Sequence, residues 1–216
     1  MINKNVAFIL YLTVLVCSCD KSFDKEKYLH EVLGKYDKPL IAFNQIEIDC
    51  NKQDSLYLQI YNTDQEARNN GLDYVPIDKK NLQLFISAVE KCGFPYDEEF
   101  NDFRSYVGIF LVLQHNEPEW IAYYYDDFKK LIENKKLPKD ILALLEDRFL
   151  LQNNKPQLYG TQIKNGKLYD VINPSELKER RESMNFNESI EEYLFRYGLD
   201  FNEEIERIKI EKTEKR

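Results

Sequence analysis

A chain of 216 residues that is 43% hydrophobic and 13% aromatic carries enough apolar side chain for one packed domain. Its formal net charge of −8 repels phosphate backbones and anionic head groups, which excludes nucleic acid as the expected partner while leaving room for a local basic patch. Seven glycines limit the number of tight turns and lean the composition towards helices.

The first element is an export signal. Asn3 and Lys4 precede an apolar stretch from Val6 to Val16, the pattern of a charged n-region followed by an h-region. That stretch falls short of the roughly 20 residues a membrane-spanning helix needs. Val16-Cys17-Ser18-Cys19 places an aliphatic residue three before a cysteine and a small residue directly before it, which resembles the bacterial lipobox. Residues 1–18 are therefore expected to be removed and Cys19 to carry lipid, fixing the chain to a membrane of the cell envelope. Cys17 is the poorer acceptor because the β-branched Val16 would sit at the cut. An ordinary signal peptide or a short anchor is the alternative. Residues 1–18 carry one lysine and no carboxylate, so their loss takes the net charge from −8 to −9. Residues 19–27 read as the lipidated cysteine and a charged tether, and residues 28–216 as a single domain.

Within that domain Asp54 is placed to cap a helix running through Asp64-Gln65 and Arg68 to Gly71. A second helix is expected after Asp78, with Leu82, Phe85, Ile86 and Val89 as its apolar stripe and Gly93 and Pro95 as its stop. Residues 100–115 read as a third helix ending at Gln114-His115, with a buried strand as the competing assignment. Pro118 and Pro138 each open another helix, the latter carrying Asp147-Arg148. Asn165-Gly166 lies between two short β-prone runs and predicts a hairpin near residues 157–172. Asn173-Pro174-Ser-Glu176 starts a helix through Arg180-Arg181, and residues 189–216 form one or two more. The expected fold class is α+β, mainly α, a helical domain with one embedded β-hairpin.

Cys50 and Cys92 remain after processing, in a compartment that permits a disulfide; a bridge and two buried small hydrophobes are both open. No Cys-x-x-Cys follows Cys19, and His30 and His115 are the only histidines, so no metal and no cofactor is expected. Phosphate-binding glycine loops, His-Glu-x-x-His and Gly-x-Ser-x-Gly are absent.

Polar residues remain that ordinary packing does not call for. On a strand, Gln157, Tyr159 and Thr161 would share one hydrogen-bonding face, with Gln162 on the other; a solvated edge hairpin explains the same pattern. His115 is a candidate acid or base, because histidine ordinarily titrates near neutral pH; a helix-capping or core histidine is the plainer alternative. Asp64/Arg68 and Asp147-Arg148 are either helix salt bridges or parts of a guanidinium fork for a carboxylate or phosphate.

Taken in order, Asp64-Gln65-x-x-Arg68, Gly93-Phe-Pro95, Gln114-His115, Leu144-Leu-x-Asp147-Arg148, Lys155-Pro-Gln-x-Tyr-Gly-Thr-Gln162 and Arg180-Arg181 resemble a bacterial family known as the domain of unknown function numbered 6624. The likeness covers roughly residues 54–198. Phe94 stands where the family often has tryptophan, and the segment after Arg181 lacks its usual glycine. The resemblance implies that the polar set forms one site: Asp64, Gln65, Arg68, Gln114, Arg148, Gln157, Tyr159, Thr161, Gln162 and Arg181 as ligand-binding residues, with His115 and Asp147 as an acid/base and its orienting carboxylate. Three functions follow. The first is binding of a small molecule or glycan, the second an envelope hydrolase or lyase, and the third a scaffold or inhibitory protein whose polar motifs only hold the fold.

Overall fold

The computed structural model describes residues 23–40 and 44–214, so the expected signal and Cys19, the expected lipid acceptor, lie outside the described residues. The fold is mainly helical with one two-stranded antiparallel hairpin. Its helices are α1 (Lys25–Leu33), α2 (Gln53–Asn69), α3 (Val75–Cys92), α4 (Phe103–His115), α5 (Pro118–Glu133), α6 (Lys139–Gln152), α7 (Leu177–Ser183), α8 (Ile190–Phe195) and α9 (Phe201–Glu214). The hairpin pairs β1 (Ile163–Lys164) with β2 (Lys167–Leu168). Among the described residues no helix is long and apolar enough to cross a membrane.

Helix α1 begins inside the charged run assigned to the tether. Asp24 caps it by accepting from the Lys27 N–H at 3.0 Å, and Leu29 and Val32 are buried against the domain. The domain therefore starts before residue 28.

The core is built around α4, whose Ile109, Phe110, Val112 and Leu113 are buried. Its apolar middle is helical, which settles the helix against the strand. Gly108 allows α2 to approach: a Cβ there would lie 2.4 Å from the Tyr57 carbonyl oxygen, so no larger residue fits without pushing the two helices apart. Asp54 does not cap α2, which starts one residue earlier. Its carboxylate instead accepts from the Asn101 N–H at 2.9 Å and from the Ser105 hydroxyl, pinning α2 to the start of α4. Helix α3 starts at Val75, ahead of Asp78, because Pro76 fits a first turn where no N–H is needed. Cys50 and Cys92 form a disulfide across 42 residues, tying the entry to α2 to the end of α3.

A second, smaller apolar cluster lies beneath the C-terminal elements. It comprises Leu168, Val171, Leu177, Ile190, Leu194, Ile205 and Ile208. Asn165 and Gly166, at φ +53° and +70°, make the turn that Asn-Gly favours. The hairpin is shorter than its sequence suggests, and residues 157–162 are not a strand. Gly160 at φ +71° breaks the extension there, so the expected alternation of Gln157, Tyr159 and Thr161 on one open face does not arise.

Candidate functional site

The polar residues named from sequence separate into two groups, which meet α6 at Arg148 and at Asp147. The first lies where the C-terminal ends of α2 and α4 meet the start of α3. Asp64 is buried with both carboxylate oxygens engaged: Oδ1 is 2.8 Å from His115 Nδ1 and 2.9 Å from Arg68 NH1, and Oδ2 accepts from Gln65 Nε2 at 2.8 Å. A carboxylate oxygen accepts, so Nδ1 is the His115 nitrogen that carries the hydrogen in this contact. The ring's Nε2 then accepts from the Gln114 carboxamide at 3.0 Å. The carboxylate that orients His115 is thus Asp64, 51 residues away, and not Asp147.

Arg68 spans two carboxylates, reaching Asp78 at 3.1 Å as well as Asp64, while its guanidinium lies over the Tyr74 ring. Arg148 completes the group. Its Nε donates to the Gln114 carbonyl at 3.3 Å, and among the described residues no carboxylate pairs with it. Burial, and then the like charge of Arg68, lower the Arg148 pKa from its usual value. The group therefore holds two guanidinium ions and two carboxylates, and both carboxylates are paired with Arg68. The ligand atoms of Asp64, Asp78 and His115 lie within 4.8 Å of one another, a spacing some metal sites share. Here the Arg68 guanidinium already bridges the two carboxylates, and a cation would have to displace it.

The second group is internal. Asp147 is wholly buried and accepts from the N–H groups of Leu158 (2.6 Å), Tyr159 (3.0 Å) and Thr161 (3.0 Å), and from Thr161 Oγ1 (2.9 Å). Burial pushes its pKa up to about 6 against the pull of those donors, so near pH 7 it is the ionised carboxylate that they hold. Gln157 closes the same loop on itself: its amide donates to the carbonyls of Gln162 and Tyr169, and its Oε1 accepts from the Gln162 N–H. Arg180 Nε donates to the Leu158 carbonyl at 2.8 Å and Arg181 NH1 to the Tyr159 carbonyl at 3.0 Å. Gln162 Nε2 donates to Thr161 Oγ1. Asp147, Gln157, Tyr159, Thr161 and Arg181 are thereby engaged in holding residues 157–162. They are buried, with their hydrogen bonds directed into the protein rather than towards a ligand.

Of the residues singled out from sequence, Asp64, Gln65, Arg68, Gln114, His115 and Arg148 come together. Asp78 belongs with them and was read only as the residue before a helix. Its pairing with Arg68 crosses from one helix to the next, for which no local spacing rule exists. No protein-family model, no curated protein and no solved structure matches this chain.

Proposed function

We propose that the chain is a lipid-anchored protein of the cell envelope whose α2/α3/α4 cluster binds an anionic group, a carboxylate or a phosphate, on a small molecule or glycan. Arg148 is the observation that carries this reading. It is a half-buried guanidinium with no carboxylate partner among the described residues, set beside Arg68 and the Asp64–His115 pair. Both carboxylates of the cluster are taken up by Arg68, so the Arg148 fork has no direct ion-pair partner, and a guanidinium fork matches a carboxylate or phosphate in geometry. Of the twelve residues that the resemblance to the family numbered 6624 implies for one site, six meet in this cluster and the other six belong to the 157–162 group.

The test is the thermal stability of the full chain titrated with inorganic phosphate and with malonate. One of these anions should raise Tm saturably, by the equivalent of about 2.7 kcal/mol at a hundred times its dissociation constant. Arg148→Met should abolish the rise while keeping the fold. Loss of folding in that variant would favour the scaffold reading, and no saturable shift with either anion would overturn the binding site. The envelope address is tested separately, because Cys19→Ser should abolish lipid labelling and membrane attachment.

A second reading, acid/base chemistry at His115, is favoured by the 2.8 Å contact from Nδ1 to Asp64, which holds the ring in one tautomer and leaves Nε2 as its basic atom. Gln114 occupies Nε2, so a substrate would have to displace that amide. In this reading His115→Gln retains anion binding and loses turnover.

A further inference from the structure

A cavity of about 1000 Å³ lies on the opposite side of α6 from the Arg148 cluster and shares no residue with it. It opens between α1, the ends of α5 and α6, and residues 183–185. Tyr125, Ile132, Leu137, Leu142 and Met184 make its walls apolar. Phe103, more than half exposed, forms part of its lip. At its floor Glu146 is buried, with one carboxylate oxygen accepting from Tyr125 OH at 2.7 Å and the other from Tyr159 OH at 2.9 Å. Burial also pushes that carboxyl's pKa up. The floor is thus satisfied from within, both oxygens of Glu146 being engaged by tyrosine hydroxyls.

The rim has the opposite sign to the chain as a whole. Lys25, Lys129, Lys135, Lys136 and Lys139 surround the cavity against the rim carboxylates Glu26 and Glu133, a positive excess in a protein of net charge −8. Lys25 and Lys129 share Glu26, at 3.9 and 4.0 Å, and Lys136 pairs with Glu99. Lys135 and Lys139 are exposed and have no ion pair among the described residues. An apolar chamber of ligand size under a lysine rim suits a molecule with a long apolar tail and a single anionic head. A short polar anion would leave the walls uncovered, and an uncharged hydrocarbon would leave the rim unanswered.

We propose that this cavity binds a free long-chain carboxylate, with the alkyl chain against Ile132, Leu137, Leu142 and Met184 and the head group at Lys135 and Lys139. Calorimetric titration of the detergent-free full chain with dodecanoate, dodecanol and acetate tests it. One saturable dodecanoate site per chain is expected, with dodecanol binding much more weakly and acetate not at all. The double variant Lys135→Glu/Lys139→Glu, which alters only exposed side chains, should weaken dodecanoate by at least about tenfold with its unfolding midpoint unchanged. Arg148→Met should leave dodecanoate binding untouched, which separates this site from the proposed anion cluster. Absence of saturable dodecanoate binding would overturn the proposal. So would equal affinity for dodecanol, or loss of binding in Arg148→Met.

Discussion

Replacing Asp147 with alanine should be among the most damaging single changes available to this fold. The wild-type carboxylate is the acceptor for three backbone N–H groups and one hydroxyl, all within a segment that is otherwise sealed. Alanine leaves the N–H groups of Leu158, Tyr159 and Thr161 buried without a partner. At roughly 1–3 kcal/mol for each unsatisfied group, the loss is about 3–9 kcal/mol. That is comparable with the whole stability of an ordinary domain, about 5–15 kcal/mol. Arg180 and Arg181 would be left holding the carbonyls of a loop that has lost its other anchor.

Asparagine separates acceptor geometry from charge. Its Oδ1 retains the Leu158 and Tyr159 bonds, but its amide hydrogens face the Thr161 N–H, so part of the loss remains. Urea unfolding followed by circular dichroism should rank wild type above Asp147→Asn and Asp147→Asn above Asp147→Ala. An Asp147→Ala protein within about 1 kcal/mol of wild type would refute the reasoning, as would an asparagine variant less stable than the alanine one.

Acidity should stabilise the protein over part of its range. The folded pKa of Asp147, about 6, lies above the ordinary aspartate value of 3.8, so its contribution is complete below about pH 4 and lost as pH rises through 6. Between pH 7 and 5 the gain is about 1.3 kcal/mol from Asp147 alone; Glu146, also raised by burial, adds in the same direction. A urea midpoint that stays flat or falls over this interval contradicts the assignment. Removing the disulfide as Cys50→Ala/Cys92→Ala should cost about 4 kcal/mol for a loop of this length, read as a lower unfolding midpoint. Gly108→Ala should cost at least about 2 kcal/mol, because the added carbon meets the backbone oxygen of Tyr57 and not a movable side chain. Arg148→Met should unfold within about 1 kcal/mol of wild type or later, since it removes a half-buried charge that pairs directly with no carboxylate among the described residues; a large loss would make Arg148 a structural residue.

Much of the helical scaffold is legible in the sequence because its signals are local. Pro118, Pro138 and Gly93 mark helix ends, and Asn165-Gly166 marks the hairpin turn. The segment 157–162 is misread for a physical reason. Alternation of side chains presumes an extended backbone, whereas Gly160 and the convergence of three N–H groups on Asp147 impose a compact bend. Adjacency misleads in the same way at Asp147-Arg148, which look like one functional unit. The contact that matters to His115 joins residues 64 and 115, and no periodicity within either helix reveals it. The cavity is equally hidden, since its lysines come from α1, α5, the α5–α6 connection and α6.

Glu146, Asp147 and Arg148 show how one helix can serve three environments. Successive residues of an α-helix point about 100° apart, so these three neighbours reach different surroundings. Glu146 faces the tyrosines at the cavity floor, Asp147 gathers the N–H groups of residues 158–161, and Arg148 joins the Asp64–His115 cluster. Tyr159 links the first two, giving its hydroxyl to Glu146 and its N–H to Asp147. Loosening the 157–162 loop would therefore disturb the cavity floor directly, while the Arg148 cluster, which takes no hydrogen bond from that loop, should be disturbed only through movement of α6 itself. Substitutions that weaken Asp147 without unfolding the chain should accordingly impair dodecanoate binding before they impair phosphate or malonate binding, and the opposite order would show that α6 does not divide the two sites.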